Sequence, residues 1–136
     1  MAIYYVDFEN VHIRGLKGAE SLKPEDTILV YCRDNDVPVI KEACKKRKIK
    51  ACVKCCVVTG TTKNALDFEL ISDLFMDKTE EIRYIISHDK GYEAAVERGL
   101  RKGFLCFRKE NIKDTSFLQS LDFYKTNCRE IIINAT

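Results

Sequence analysis

The stretch IYYVDFENV puts Asp7, Glu9 and Asn10 directly behind a run of β-formers. Carboxylates at the end of a strand built for a core suit two uses, a polar turn or a site for a hard cation. Three later stretches carry the same residue types: Arg33, Asp34 and Asp36 after TILVYC, Asp67 in NALDFEL, and Asp89 with Glu93 in SHDKGYE. Asp89 and Glu93 are four residues apart, so a helix starting near Asp89 sets both on one face. Carboxylates crowded together raise one another's pKa unless a cation lies among them. Mg2+ or Mn2+, hard ions that prefer oxygen ligands, suit such a set. Each piece also has a bland use. Residues 7–10 can be a turn, Asn64 with Asp67 a helix cap with its acidic partner, and Asp89 a cap for the next helix. It is their arrival at one edge together that favours a site.

That edge is set by the pattern of elements. IYYVDF, TILVYC, KACVKCCVV, IRYIIS and GFLCFR are apolar almost throughout and rich in β-branched and aromatic residues, as buried parallel strands are. Helical patterns lie between them in DVPVIKEACKKRK, NALDFELISDLFMDK and GYEAAVERGLRK, the last stopped by Gly103. NVHIRGLKGAESLKP, after the first strand, reads as a short helix or loop. Strands alternating with helices specify an α/β fold, a three-layer α/β/α sandwich around a mainly parallel, Rossmann-like sheet of about five strands. In such sheets ligands bind beyond the carboxyl ends of the strands, where strand order reverses. The 136 residues make a single domain over 1–136, with a core at about 3–108 and a last helix and short strand or tail within 111–136.

Composition narrows the class. The 46% hydrophobic and 32% charged residues exclude a disordered chain. No apolar run reaches the roughly 18 residues of a membrane span, and no signal peptide is visible, so the expected location is the cytoplasm with no membrane partner. Seven cysteines do not make an even disulfide framework. Cys52 and Cys55 have zinc-knuckle spacing, but in a strand they point to opposite faces. A net charge of +2 is too small to argue for nucleic acid by itself.

YYVDFENV, KNALDFELISDL and YIISHDKGYEAAV together resemble the three signature blocks of PIN-like nucleases, most closely the short single-domain NYN-type bacterial members. Asp7 and Asn10 match the first block, Asp67 the second, and Ser87, Asp89 and Glu93 the third. The resemblance implies a metal-dependent endoribonuclease that hydrolyses phosphodiester bonds of single-stranded or structured RNA. Asp7, Asp67 and Asp89 are then Mg2+ or Mn2+ ligands, direct or through water, Glu93 is a further ligand or orients the attacking water, Asn10 and Ser87 are positioning residues, and Glu9 is a reserve. Such relatives commonly form dimers, so a second copy of the chain is an expected partner, as is an antitoxin or regulatory protein. Gly91 stands where many relatives have a second aspartate, and Glu42 is the one candidate for an acid in the helix after the second strand. Gly91 supports the alternative, an RNA-binding or regulatory module of the same fold with weak or no turnover. A receiver-like domain is disfavoured, because its third strand should lead into a phosphoacceptor aspartate and here leads into TGTT.

The basic run at residues 45–50 closes a helix at the opposite edge of the sheet, where cations complement the helix dipole, as do Arg98, Arg101 and Lys102. Cations expected on the acidic edge are Arg14, Lys17, Arg33, Lys63, Arg108 and Lys109, with His12. They suit an RNA backbone, and Asn64 can join them in substrate binding. Phe8, Tyr92 and Phe68 are candidates for base stacking, with core packing the expected use of Phe8 and Phe68.

Overall fold

Five apolar runs become five parallel strands: β1 (Ala2–Asp7), β2 (Thr27–Cys32), β3 (Cys52–Val57), β4 (Ile82–Ile86) and β5 (Cys106–Lys109). Their order in the sheet is β3-β2-β1-β4-β5. The structure is a computed structural model that describes residues 1–116 and residue 133. The helix expected beyond residue 116 and the strand or tail expected at the end of the chain lie outside the described residues.

Four helices connect the strands: α1 (Phe8–Val11), α2 (Val37–Lys46), α3 (Ala65–Met76) and α4 (Glu93–Arg101). After α1, tight 3-10 turns at His12–Leu16 and Ala19–Ser21 complete the first crossover, the segment read from sequence as a short helix or loop. Pro38 opens α2, where its missing N–H costs nothing. Gly103, at φ 88°, ends the crossover from α4 in the left-handed region, as its sequence position predicts.

Side chains alternate across the sheet and build two cores. Tyr4, Val6, Ile28, Val30 and Cys32 pack under α1 and α2 with Phe8, Val11, Leu16 and Ile40. Tyr5, Tyr31, Ile85 and Cys106 pack under α3 and α4 with Leu66, Leu70, Leu74 and Val96. Three layers result, in a PIN-like α/β architecture. Cys52 is exposed on β3 while Cys55 packs toward α2, as strand alternation requires, and the six described cysteines are free thiols.

The strand order fixes where a ligand belongs. The chain leaves β1 toward β2 and β3, then returns through α3 to start β4 on the other side of β1. The reversal therefore falls between β1 and β4, and the crevice lies past Asp7 and Ile86.

Candidate active site

Asp7 is the last residue of β1 and shares a face with Tyr5, so its carboxylate points into the α3/α4 layer at the strand's carboxyl end. It is buried, 4% exposed. Ser87, just past β4 and wholly buried, donates from Oγ to Asp7 Oδ2 at 3.0 Å and accepts the Asp89 backbone N–H at 3.1 Å. One hydroxyl thus links the ends of the two central strands. Asn10 ties the same turns together, its Oδ1 accepting the His88 N–H at 2.7 Å.

Asp67 enters from α3, one turn past Asn64. The Tyr92 hydroxyl donates to Asp67 Oδ1 at 3.0 Å and also hydrogen-bonds Asp7. A phenol has one proton, so Tyr92 can donate to only one of these carboxylates at a time. Burial pushes the pKa of Asp7 up to about 6; Ser87 opposes this, and the charge of Asp67 adds to it. Burial, reinforced by Asp7 and Asp67, likewise holds the Tyr92 phenol well above the ordinary range, so it keeps its proton. Among the described residues neither Asp7 nor Asp67 forms an ion pair.

Asp89 follows Ser87 into the same crevice. One of its oxygens, Oδ1, accepts the Gly91 N–H at 2.8 Å, so the capping use read from sequence is realised by half of the carboxylate. A Cβ at Gly91 would stand 3.0 Å from that oxygen, the movable end of the Asp89 side chain. Asn64 takes a left-handed conformation, φ 63°, and makes no capping bond with its side chain, so the cap-and-partner use for Asn64 and Asp67 does not form.

Glu93 goes elsewhere. Its Oε1 accepts from Arg108 Nη2 at 3.3 Å and Nε at 3.4 Å. Arg108 also holds the Ser87 carbonyl at 2.9 Å and Glu110 at 3.0 Å; burial pulls its pKa down, but these acids more than offset that. His88 Nδ1 contacts the other Glu110 oxygen. Arg33 is equally engaged, with Glu9 at 2.9 Å and the carbonyls of Val58 and Gly60 at 2.9 and 2.7 Å. Both arginines brace the loops past the strand ends. Lys109 is buried, with Nζ on the Ile112 carbonyl at 2.6 Å and 4.7 Å from the Tyr84 ring, which takes it away from the edge expected for it. Arg14, Lys17 and Lys63 are exposed. Glu42 lies across the sheet on the outer side of α2, near Pro38, Val39 and Lys46.

A cleft of about 490 Å³ opens between α3 and α4 from Asp67 and Asp89. Phe68 lines it at 68% exposure, contrary to the core packing expected for it, while Phe8 is buried as expected. Phe68 follows Asp67 on α3, whose buried stripe is Leu66, Leu70 and Leu74, so its ring falls outside that stripe. Arg98 lines the same cleft rather than belonging wholly to the far edge. Tyr92 is a buried partner of the acids and not an open stacking platform. The Asp-Tyr-Asp contact joins residues distant in sequence, so periodicity gives no signal for it.

Among the described residues no group of three or more His, Cys, Asp or Glu side chains is close enough to enclose a metal ion. Mg2+ does not require such a cage. It keeps much of its water and binds through one or two carboxylates plus substrate phosphates. A buried carboxylate of raised pKa beside a second one, with a single phenol proton between them, is a donor set that fits this mode.

The family model for the PIN domain matches residues 1–109, which spans all five strands and Asp7, Asp67, Asp89 and Glu93. The chain belongs to the PIN domain family, whose members are generally nucleases that typically use divalent metals. Comparisons with curated proteins and with solved structures give no match.

Proposed function

We propose that the chain is a divalent-metal-dependent endoribonuclease of NYN type, acting on single-stranded RNA in the cytoplasm. What carries this reading is the buried Asp7 carboxylate beside Asp67, with one phenol proton for two acids and no ion pair to either among the described residues. Asp7 and Asp67 would hold Mg2+ or Mn2+ directly or through water, with Asp89 as a further ligand. Bound there, the ion supplies an activated water and offsets the charge that builds on phosphorus and the leaving oxygen. Ser87 fixes Asp7 and the Asp89 backbone, Tyr92 keeps the two aspartates from separating, and Asn10 locks the turns together. Lys63, Arg14 and Lys17, exposed and in no ion pair among the described residues, meet the RNA backbone. Protein partners under the same reading are a second copy of the chain and an antitoxin or regulatory protein.

A second reading is an RNA-binding module without turnover. It is favoured by Gly91 and by the pairing of Glu93 with Arg108 in place of a fourth acid. Single-stranded RNA and DNA incubated with Mn2+, Mg2+ or EDTA separate the two. The nuclease reading expects RNA cleavage with metal, none in EDTA, and none from a folded Asp89→Asn protein. Cleavage by that variant at the wild-type rate means a contaminant, and binding without metal-dependent cleavage selects the second reading.

A further inference from the structure

We propose that the cleft between α3 and α4 is a subsite for one unpaired nucleobase of the RNA, stacked on Phe68 while a phosphate of the same nucleotide faces Asp67 and Asp89. The RNA is taken from the nuclease reading; the assignment of the cleft goes beyond it.

The cleft has the chemistry of a flat, polar-rimmed ligand. Phe68 and Ile71 give it an apolar wall on α3, and the small side chains of Ala94 and Ala95 form the facing wall on α4. A volume of about 490 Å³ lies within the roughly 300–1,000 Å³ typical of small-ligand sites, enough for a nucleoside. A phenylalanine 68% exposed, beside a buried carboxylate site, is a stacking surface left open.

Carboxylates and an amide gather at one end. Asn64, Asp67 and Asp89 stand at the mouth, and the Asn64 amide, which caps nothing, carries both donors and an acceptor for a base edge. A base has two apolar faces, a polar rim and one edge joined to ribose and phosphate. Seated against Phe68, it sends that edge toward the mouth, so the phosphate reaches the acids within one nucleotide. Arg98 also lines the cleft. Stacking accepts any base, so the subsite demands an unpaired base without naming it. A base held in a duplex cannot enter.

Two measurements on the full chain test this. In EDTA, binding of a short single-stranded RNA carrying a fluorescent adenine analogue is compared for wild type, Phe68→Ala and Phe68→Trp. Phe68→Ala is expected to weaken binding about 5- to 150-fold, with Phe68→Trp near wild type and thermal unfolding unchanged because Phe68 is exposed. In Mn2+, one abasic nucleotide is walked along a cleavable RNA. Wild type is expected to lose cleavage at one position beside the cut, and Phe68→Ala to show no such dip. Equal binding by wild type and Phe68→Ala, or an equal abasic dip in both, overturns the subsite. If no RNA is cleaved but the binding difference holds, the nuclease reading falls and the subsite stands. If metal-dependent cleavage is seen with no Phe68 effect, the reverse is true.

Discussion

The two ends of α3 use the same pair of residue types in opposite ways. Toward its C-terminus, Asp73 and Asp77 each take one phenol, from Tyr31 and Tyr5, both at 2.7 Å. Arg83, 2% exposed, brings a positive charge to that end, donating to the carbonyls of Leu74, Asp77 and Thr79 at 2.7–2.9 Å. Its guanidinium also lies 4.0 Å from the Phe104 ring centre, and only Nε is left without a partner. Toward the N-terminus, Tyr92 faces two carboxylates with one proton, and one of those carboxylates is buried. One end is a closed network that fixes the helix on the sheet. The other is short of positive charge. Crowded carboxylates are relieved by a cation, so the end whose acids form no ion pair among the described residues is where a cationic ligand belongs.

Charge removal should break the comparison most sharply. Asp67→Asn is expected to lower RNA cleavage at least about a hundredfold, since even outer partners of metal ligands are commonly worth 10- to 100-fold. Asp73→Asn should leave the initial rate near wild type; equal losses would erase the difference between the two ends. Arg83→Leu is expected to cost about 2–4 kcal/mol in urea unfolding, because three carbonyls at the close of α3 lose their donor.

Asp7 gives a pH test with a defined sign. Its pKa rises from 3.8 to about 6 on folding, so the stability contributed by the neutral carboxyl is complete below about 3.8 and is lost as pH rises through about 6. Metal-free Asp7→Asn should therefore be more stable than wild type at pH 8, by about 1–3 kcal/mol, with the gap closing near pH 4. Added Mn2+ should raise the melting temperature of wild type at pH 8 and not that of the variant. The smallest effects come from the phenols. Tyr31→Phe should lose about 1 kcal/mol of stability. Tyr92→Phe should instead weaken Mn2+ binding about tenfold, read by calorimetry on the RNA-free protein.

Fold and strand ends were legible because they follow from local chemistry. Period and composition place all five strands and α2 to α4 to within a few residues, and Gly103 marks its turn. The acids at the carboxyl edge could be located from the alternation of strand and helix alone. What could not be read is which side chain each would meet. Arg33 and Arg108 are on the expected edge, yet carboxylates and carbonyls from other loops take them up. Lys109 is drawn under the sheet by two tyrosine rings and a carbonyl. Phe68 is apolar and sits on an amphipathic helix, but its position on the turn, not its type, leaves it in water. Tyr92 acquires its role from Asp7, 85 positions earlier in the chain.

The central place of β1 in the sheet has a consequence for synthesis. The first strand to leave the ribosome carries Asp7, but its β4 neighbour, with Ser87, Asp89 and Tyr92 behind it, emerges some eighty residues later. A nascent chain therefore holds Asp7 and Asp67 before Ser87 and Tyr92 exist to align them. Under the proposed function, that delay keeps the active site unassembled beside the ribosome's own RNA until the sheet closes.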